Sequence, residues 1–308
     1  MTRLAFLFPG QGSQAVGMGL DFHRNSEPAR ELFSRADDVL GFPLSRLCFE
    51  GPEEDLKLTR NTQPALLVCS VIAFRHLGLE PAYAAGHSLG EYSALVAAGA
   101  LNFEDAVLLV HKRGRAMQEA VPVGMGAMAA LLGADRRTVL DSLARIRSGT
   151  VEVANWNSPE QIVIAGHRQA VEEAVGLIRP TRSVFLPVSA PFHTTLMIGA
   201  EKELKAELDR VEFHDLRFPV VTNVDARIIR TGEEARDALK RQVSRPVLWL
   251  HSMEQLKNEE LTHFVEIGPG RVLSGLMKRI GRGWPTAFSL LNVEDMATLA
   301  KTREALSS

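Results

Sequence analysis

Gly86-His87-Ser88-Leu89-Gly90 holds a serine between two glycines. A short apolar stretch precedes it and an amphipathic segment follows. A serine on a sharp strand-to-helix turn takes a strained backbone conformation, and its flanks must be small so that neighbouring chain can approach. Such a turn presents Oγ at its tip and sets the free N–H groups of a helix start beneath it. Ser88 is therefore the candidate nucleophile. The competing reading is a tight turn without chemistry.

A serine hydroxyl needs a base within hydrogen-bond reach. His111, His167, His193, His214, His251 and His263 follow it in the chain. His111 falls inside a helical stretch, and His167 reads as a helix cap. His193 stands in Ser189-Ala190-Pro191-Phe192-His193, a turn after an apolar strand and before an expected helix from Thr194 to Arg210. A helix start favours the neutral imidazole that a base requires. Position alone makes His193 the best placed of six, with local packing as its alternative role. A tetrahedral intermediate also needs N–H donors. Leu89, after the serine, supplies one, and the loop Pro9-Gly10-Gln11-Gly12 offers the Gln11 N–H as a second. That loop lacks the Gly-Lys-Ser/Thr of a nucleotide-binding P-loop.

Arg113 lies on the same helical stripe as Ala106, Val110 and Met117. An arginine there must snorkel outward or find an anion. A planar guanidinium clamps a carboxylate through two parallel bonds, so an acid-bearing acyl group would suit it. Spacing alone leans toward the other option, an ion pair with one of the chain's own acids. Lys112 and Arg115 fall off the stripe and are expected to face solvent.

The elements that must position these groups alternate. Leu4 to Phe8 reads as a strand buried on both faces, and Tyr83 to Ala85 as another running into the serine turn. Phe264 to Ile267 is a third, turned by Gly268-Pro269-Gly270 into a helix Val272 to Ile280. Helices are expected at Glu27 to Leu40, Gln63 to Leu77, Glu91 to about Ala98 and Glu104 to Met117. This alternation predicts an α/β fold with a parallel sheet covered on both faces. The middle changes rhythm to strand-helix-strand-strand-helix-strand, the split unit of ferredoxin-like domains. Residues 123–189 are accordingly expected to form a small inserted domain, and residues 1–122 and 190–308 the large one.

Composition narrows the setting. The 308 residues are 45% apolar and 23% charged, ordinary for a globular chain with a sizeable core. Thirty-five basic against 37 acidic side chains leave a net charge of −2, with no overall field to attract nucleic acid or anionic lipid. The N-terminal apolar run is shorter than a signal-peptide core, and no stretch approaches the roughly 20 apolar residues of a membrane span. Two cysteines, Cys48 and Cys69, suit a reducing compartment. A cytoplasmic protein is expected, and without a coiled-coil seam a monomer.

Six motifs together resemble a known family, the malonyl-CoA:acyl carrier protein transacylases of bacterial fatty acid synthesis. They are Phe8-Pro9-Gly10-Gln11-Gly12-Ser13-Gln14, Gly86-His87-Ser88-Leu89-Gly90-Glu91-Tyr92, Arg113-Gly114 before Met117-Gln118, Ala190-Pro191-Phe192-His193, Arg245-Pro246-Val247-Leu248-Trp249 and Glu266-Ile267-Gly268-Pro269-Gly270. The resemblance spans essentially the whole chain. It implies an α/β-hydrolase-like large domain with a ferredoxin-like insert. It implies Ser88 as nucleophile, His193 as base, Gln11 and Leu89 as oxyanion hole and Arg113 as clamp on the malonyl carboxylate. Asn155 and Asn157 fall where the small domain closes over the site, and Phe192 resembles malonyl-selective members. A backbone carbonyl in the segment before Trp249, assigned to Leu248, is expected to orient the histidine. The implied partners are malonyl-CoA and acyl carrier protein, with no metal or redox cofactor. A serine thioesterase or hydrolase, a transferase serving a polyketide synthase and a non-catalytic docking module are the rivals.

Overall fold

The computed structural model describes residues 2–122, 124–188 and 190–307. Val123 and Ser189, the expected inner limits of the inserted unit, and Met1 and Ser308 at the ends lie outside the described residues. In chain order the strands are β1 (Leu4–Phe8), β2 (Tyr83–Gly86), β3 (Gly126–Leu132), β4 (Val151–Ser158) and β5 (Gln161–His167). There follow β6 (Arg182–Phe185), β7 (Val220–Val221), β8 (Ile228–Ile229), β9 (His263–Ile267) and β10 (Ser289–Val293).

They form two separate sheets. One runs β10-β9-β1-β2-β7-β8, and every pairing in it is parallel except the last. All five residues of β1 are buried, as expected of a strand at the centre of a sheet covered on both faces. The other runs β4-β5-β3-β6 and is wholly antiparallel. The chain thus has a mixed α/β fold, a parallel sheet joined to a distinct antiparallel one. No helix among the described residues is long and apolar enough to cross a membrane.

Three glycines let the serine turn close against β1. The helix Leu89–Ala97 begins two residues earlier than its apolar pattern suggested, directly after Ser88. A Cβ on Gly90 would stand 2.0 Å from the Phe8 carbonyl oxygen, and one on Gly86 would stand 1.9 Å from the Gly90 backbone. A Cβ on Gly10 would meet the His87 carbonyl oxygen at 2.4 Å. Side chains are excluded because backbone passes directly over backbone.

The helices Thr59–Leu77 and Phe103–Glu119 pack together behind that turn. The first starts four residues before the expected Gln63 and carries Pro64 inside it. Proline has no N–H for the carbonyl four residues back. The orphaned Arg60 carbonyl instead accepts from His111 Nδ1 at 2.9 Å, which gives His111 a structural task. Gly114 allows the close crossing, since a Cβ there would lie 2.5 Å from the Thr59 carbonyl oxygen. Gln63 and Arg113 are thereby brought face to face. The expected helix from Thr194 is a 3-10 turn at Thr195–Met197 followed by a helix Ile198–Leu208.

Gly90→Ala should lower stability by at least about 2 kcal/mol through backbone overpacking. That corresponds to a fall in Tm of roughly 4 °C or more for a chain of this size. An unchanged melting curve by circular dichroism would contradict the contact with Phe8.

Candidate active site

Ser88 holds the strained conformation its turn requires, with φ 52° and ψ −103°. Such backbone persists only when its surroundings over-determine it. Here Asn223 does so from the loop after β7. Its Oδ1 accepts from the Ser88 N–H at 2.6 Å, and its Nδ2 donates to the Gly86 carbonyl at 2.7 Å. From the other side Gln242 Nε2 donates to the Ser88 carbonyl at 3.0 Å and to Glu91 Oε2 at 2.7 Å. Glu91 Oε2 also accepts from the Asn223 N–H at 3.0 Å.

His193 Nε2 lies 2.7 Å from Ser88 Oγ. The imidazole Nδ1 faces two backbone carbonyls, those of Gln242 at 3.0 Å and Arg245 at 3.2 Å. Carbonyl oxygens only accept, so Nδ1 carries the proton and the Nε2 lone pair faces the hydroxyl. This is the tautomer of a general base. The expected carbonyl, that of Leu248, does not do this. Leu248 precedes the helix Trp249–Glu254, and its carbonyl accepts from the Ser252 N–H at 2.8 Å as the first bond of that helix. The orienting carbonyls belong to the turn just upstream.

Burial pushes the His193 pKa down to about 3, with the neighbouring Arg113 charge as the next cause. The other histidines after the serine are occupied elsewhere. His167 is the N-cap residue of the helix Arg168–Ile178 as expected, with its Nδ1 accepting from the Thr150 N–H, His214 is half exposed, and His251 sits beside Arg136. His87 immediately precedes the serine. It is half-buried, with Nε2 2.8 Å from Asn157 Oδ1.

Arg113 is 1% exposed and has no acid within ion-pairing distance among the described residues. The anticipated internal ion pair is therefore absent. Nη1 donates to Gln63 Oε1 at 2.8 Å, and Nη2 donates to Gln242 Oε1 at 2.9 Å and to Ser88 Oγ at 3.0 Å. Its Nε finds no partner among the described residues, and the Tyr92 ring lies 5.5 Å away. Burial lowers its pKa, yet a guanidinium keeps its charge in such a site. Burial also drives the Glu91 carboxyl up to about 7.

These groups open into a cleft of about 230 Å³ between the two sheets. Gln11, Ser88, Leu89, Arg113, Phe192 and His193 line it from the parallel-sheet side. Asn155 and Asn157 line it from β4, with Met128, Ala130 and Val163 as apolar wall. Leu89 is the first residue of its helix, where N–H groups have no intrahelical acceptor. Gln11 Nε2 donates to Thr59 Oγ1 at 3.3 Å, which fixes the loop that carries it. All the expected site residues except Leu248 thus line one cleft. Sequence reading missed Gln63, His87, Glu91, Asn223, Gln242 and Arg245. Only Glu91 had a signal, as an acid one turn into an otherwise apolar helix.

A family model described as "acyl transferase domain" matches residues 5–298. The malonyl CoA-acyl carrier protein transacylase of Escherichia coli (strain K12) is 47% identical over 288 residues, covering 91% of this chain and 93% of that one. Its counterpart in Bacillus subtilis (strain 168) is 46% identical over 290 residues, 92% of each chain. Among solved structures, an acyl carrier protein S-malonyltransferase from Vibrio cholerae O1 superposes with a TM-score of 0.93 at 43% identity, over 98% of this chain and 100% of that one. A malonyl-transacylase in complex with a type II polyketide synthase acyl-carrier protein gives 0.94 at 42% identity, over 99% and 100%.

With the His193 pKa lowered, the neutral base persists as pH falls. The acid limb of serine acylation should therefore lie below pH 5 instead of near the ordinary imidazole value of about 6.5. Stopped-flow rates between pH 4.5 and 8, run in parallel on Glu91→Gln to remove that carboxyl's titration, check this. An inflection near 6.5 in both proteins would contradict it.

Proposed function

The chain belongs to the malonyl-CoA:acyl carrier protein transacylases of the acyl transferase family, and we infer from that premise which of its residues carry the reaction. It is an acyltransferase that moves the malonyl group of malonyl-CoA to the phosphopantetheine thiol of acyl carrier protein. In our reading His193 Nε2 takes the Ser88 proton while Oγ bonds to the thioester carbonyl carbon. The carbonyl electron pair moves onto oxygen, held by the Gln11 and Leu89 N–H groups. Collapse of this oxyanion expels the coenzyme A sulfur, which leaves with the proton from His193, and a malonyl ester remains on Ser88. The carrier thiol then gives its proton to His193 and attacks that ester. Ser88 leaves as the alcohol. A thioester becomes an ester and a thioester again, so the exchange is close to balanced in both directions.

The observation that carries this reading is a single hydroxyl 2.7 Å from an imidazole and 3.0 Å from a buried guanidinium without an acid beside it. A malonyl carboxylate supplies the missing anion. It also cancels the Arg113 charge, which after burial is what most depresses the imidazole. Correct cargo thus strengthens the base that must act on it. A serine hydrolase has no use for such a cation, and its histidine is ordinarily turned by an acid rather than by carbonyls.

We read residues 1–122 and 190–308 as a large α/β-hydrolase-like unit, supported by the nucleophile turn at the end of β2 in a parallel sheet. We read residues 123–189 as a ferredoxin-like insert, supported by its strand-helix-strand-strand-helix-strand order. Cytoplasmic fatty acid elongation is the proposed setting. A polyketide pathway is the second reading, favoured by the relative solved with a polyketide synthase carrier. Carrier proteins of both classes assayed as acceptors separate the two.

Pulse labelling with radioactive malonyl-CoA should trap a covalent adduct that Ser88→Ala abolishes. Label persisting in that variant would overturn Ser88 as nucleophile, and free malonate as the main product would favour a hydrolase. Arg113→Ala should cost malonyl transfer roughly 2 to 5 kcal/mol, as for other buried charge pairs that lose a partner. Acetyl transfer should lose much less, and equal losses would remove the clamp.

A further inference from the structure

Arg113 is held by amides where acids would hold it more tightly. Gln63 Oε1 and Gln242 Oε1 accept from its two terminal nitrogens at 2.8 and 2.9 Å. Both glutamines are 1% exposed, and the orientation of each amide is set by its second end. The Gln63 NH2 faces the Met117 sulfur at 3.5 Å, a weak acceptor, so its oxygen is left for the guanidinium. The Gln242 NH2 faces two oxygens, the Ser88 carbonyl and Glu91 Oε2. Glu91 is a buried acid, and it stands one amide's length from the cation.

A carboxylate in place of either amide would satisfy the same guanidinium hydrogens and neutralise their charge. A malonyl carboxylate would then meet a cation already paired, and a neutral acyl group would be excluded no more than before. We propose that Gln63 and Gln242 are specificity-determining residues: uncharged supports that fix the Arg113 fork while keeping an acid off it, so that its charge is reserved for the carboxylate of the acyl group. The inference rests on the malonyl-serine reading above. It differs from the clamp itself, because it concerns what must not stand beside the arginine.

Gln63→Glu is the cleaner test, since it forfeits only the weak contact to Met117. A second variant, Glu91→Gln/Gln242→Glu, exchanges acid and amide. It moves the same carboxyl group one position toward Arg113 without changing the number of acids. The Gln242 backbone carbonyl on His193 is retained, and the Ser88 carbonyl keeps the Glu91 N–H donor at 3.2 Å. Each protein is pulsed with an equimolar mixture of malonyl-CoA and acetyl-CoA, and acyl-Ser88 is quantified by mass spectrometry. The malonyl-to-acetyl ratio should fall at least about 30-fold in both variants, and should stay within about threefold of the parent in Gln63→Met, which removes the hydrogen bond but adds no charge. A ratio unmoved in Gln63→Glu, or one that falls as far in Gln63→Met, overturns the inference. Should Gln63→Glu fail to fold, the exchange variant decides by the same ratio. A parent protein that forms no malonyl-serine at all would instead overturn the underlying reading.

Discussion

A positive charge has been taken out of water and given no negative one. Removing a guanidinium from solvent costs several kcal/mol, and proteins ordinarily offset that with an acid. Arg113 has two amide oxygens and a serine hydroxyl in its place. Much else in the centre of the molecule follows from this. The imidazole is kept neutral partly by that charge, and burial pushes the Glu91 carboxyl up to about 7 although the same charge pulls it the other way. In the proposed reading, an acyl group bearing a carboxylate is what completes this arrangement electrostatically.

The second constraint is steric. The Ser88 turn requires glycine at 90 because β1 runs immediately beneath it, and at 86 because the turn folds back onto its own backbone at Gly90. Its strained φ is held by Asn223 and Gln242, which come from distant parts of the chain. These same residues reach the acid, the base and the cation. Gln242 alone touches Arg113, Glu91 and Ser88 with its side chain and His193 with its carbonyl. Geometry and electrostatics in this site are therefore set by one shared network.

Reading the chain alone located the parts whose chemistry is carried by residue type. A serine between glycines, a histidine at a strand end and an arginine on an apolar stripe each violate a local expectation, and each lies in the cleft. Asn223, Gln242 and Gln63 violate none, because a glutamine in a helix is ordinary until packing turns it inward. Backbone groups have no signature of residue type at all. The sequence therefore points to Leu248 for the carbonyl on His193, and the turn of Gln242 to Arg245 supplies it instead. The parallel sheet and the antiparallel unit were legible from alternation of pattern. The two-residue strands β7 and β8 were too short to produce one.

The strand β4 belongs to the antiparallel sheet, yet its register breaks between Val153 and Asn155 and again between Trp156 and Ser158. In that irregular stretch it pairs with the other half of the molecule. The Trp156 N–H donates to the Val247 carbonyl at 2.9 Å, and the Val247 N–H donates to Ala154 at 2.8 Å. Val247 is two residues from Arg245, whose carbonyl holds the imidazole. The roof of the cleft is in this way stitched to the hinge pin of its base. Two backbone hydrogen bonds therefore tie the irregular stretch of β4 to the same short segment whose carbonyl orients the imidazole.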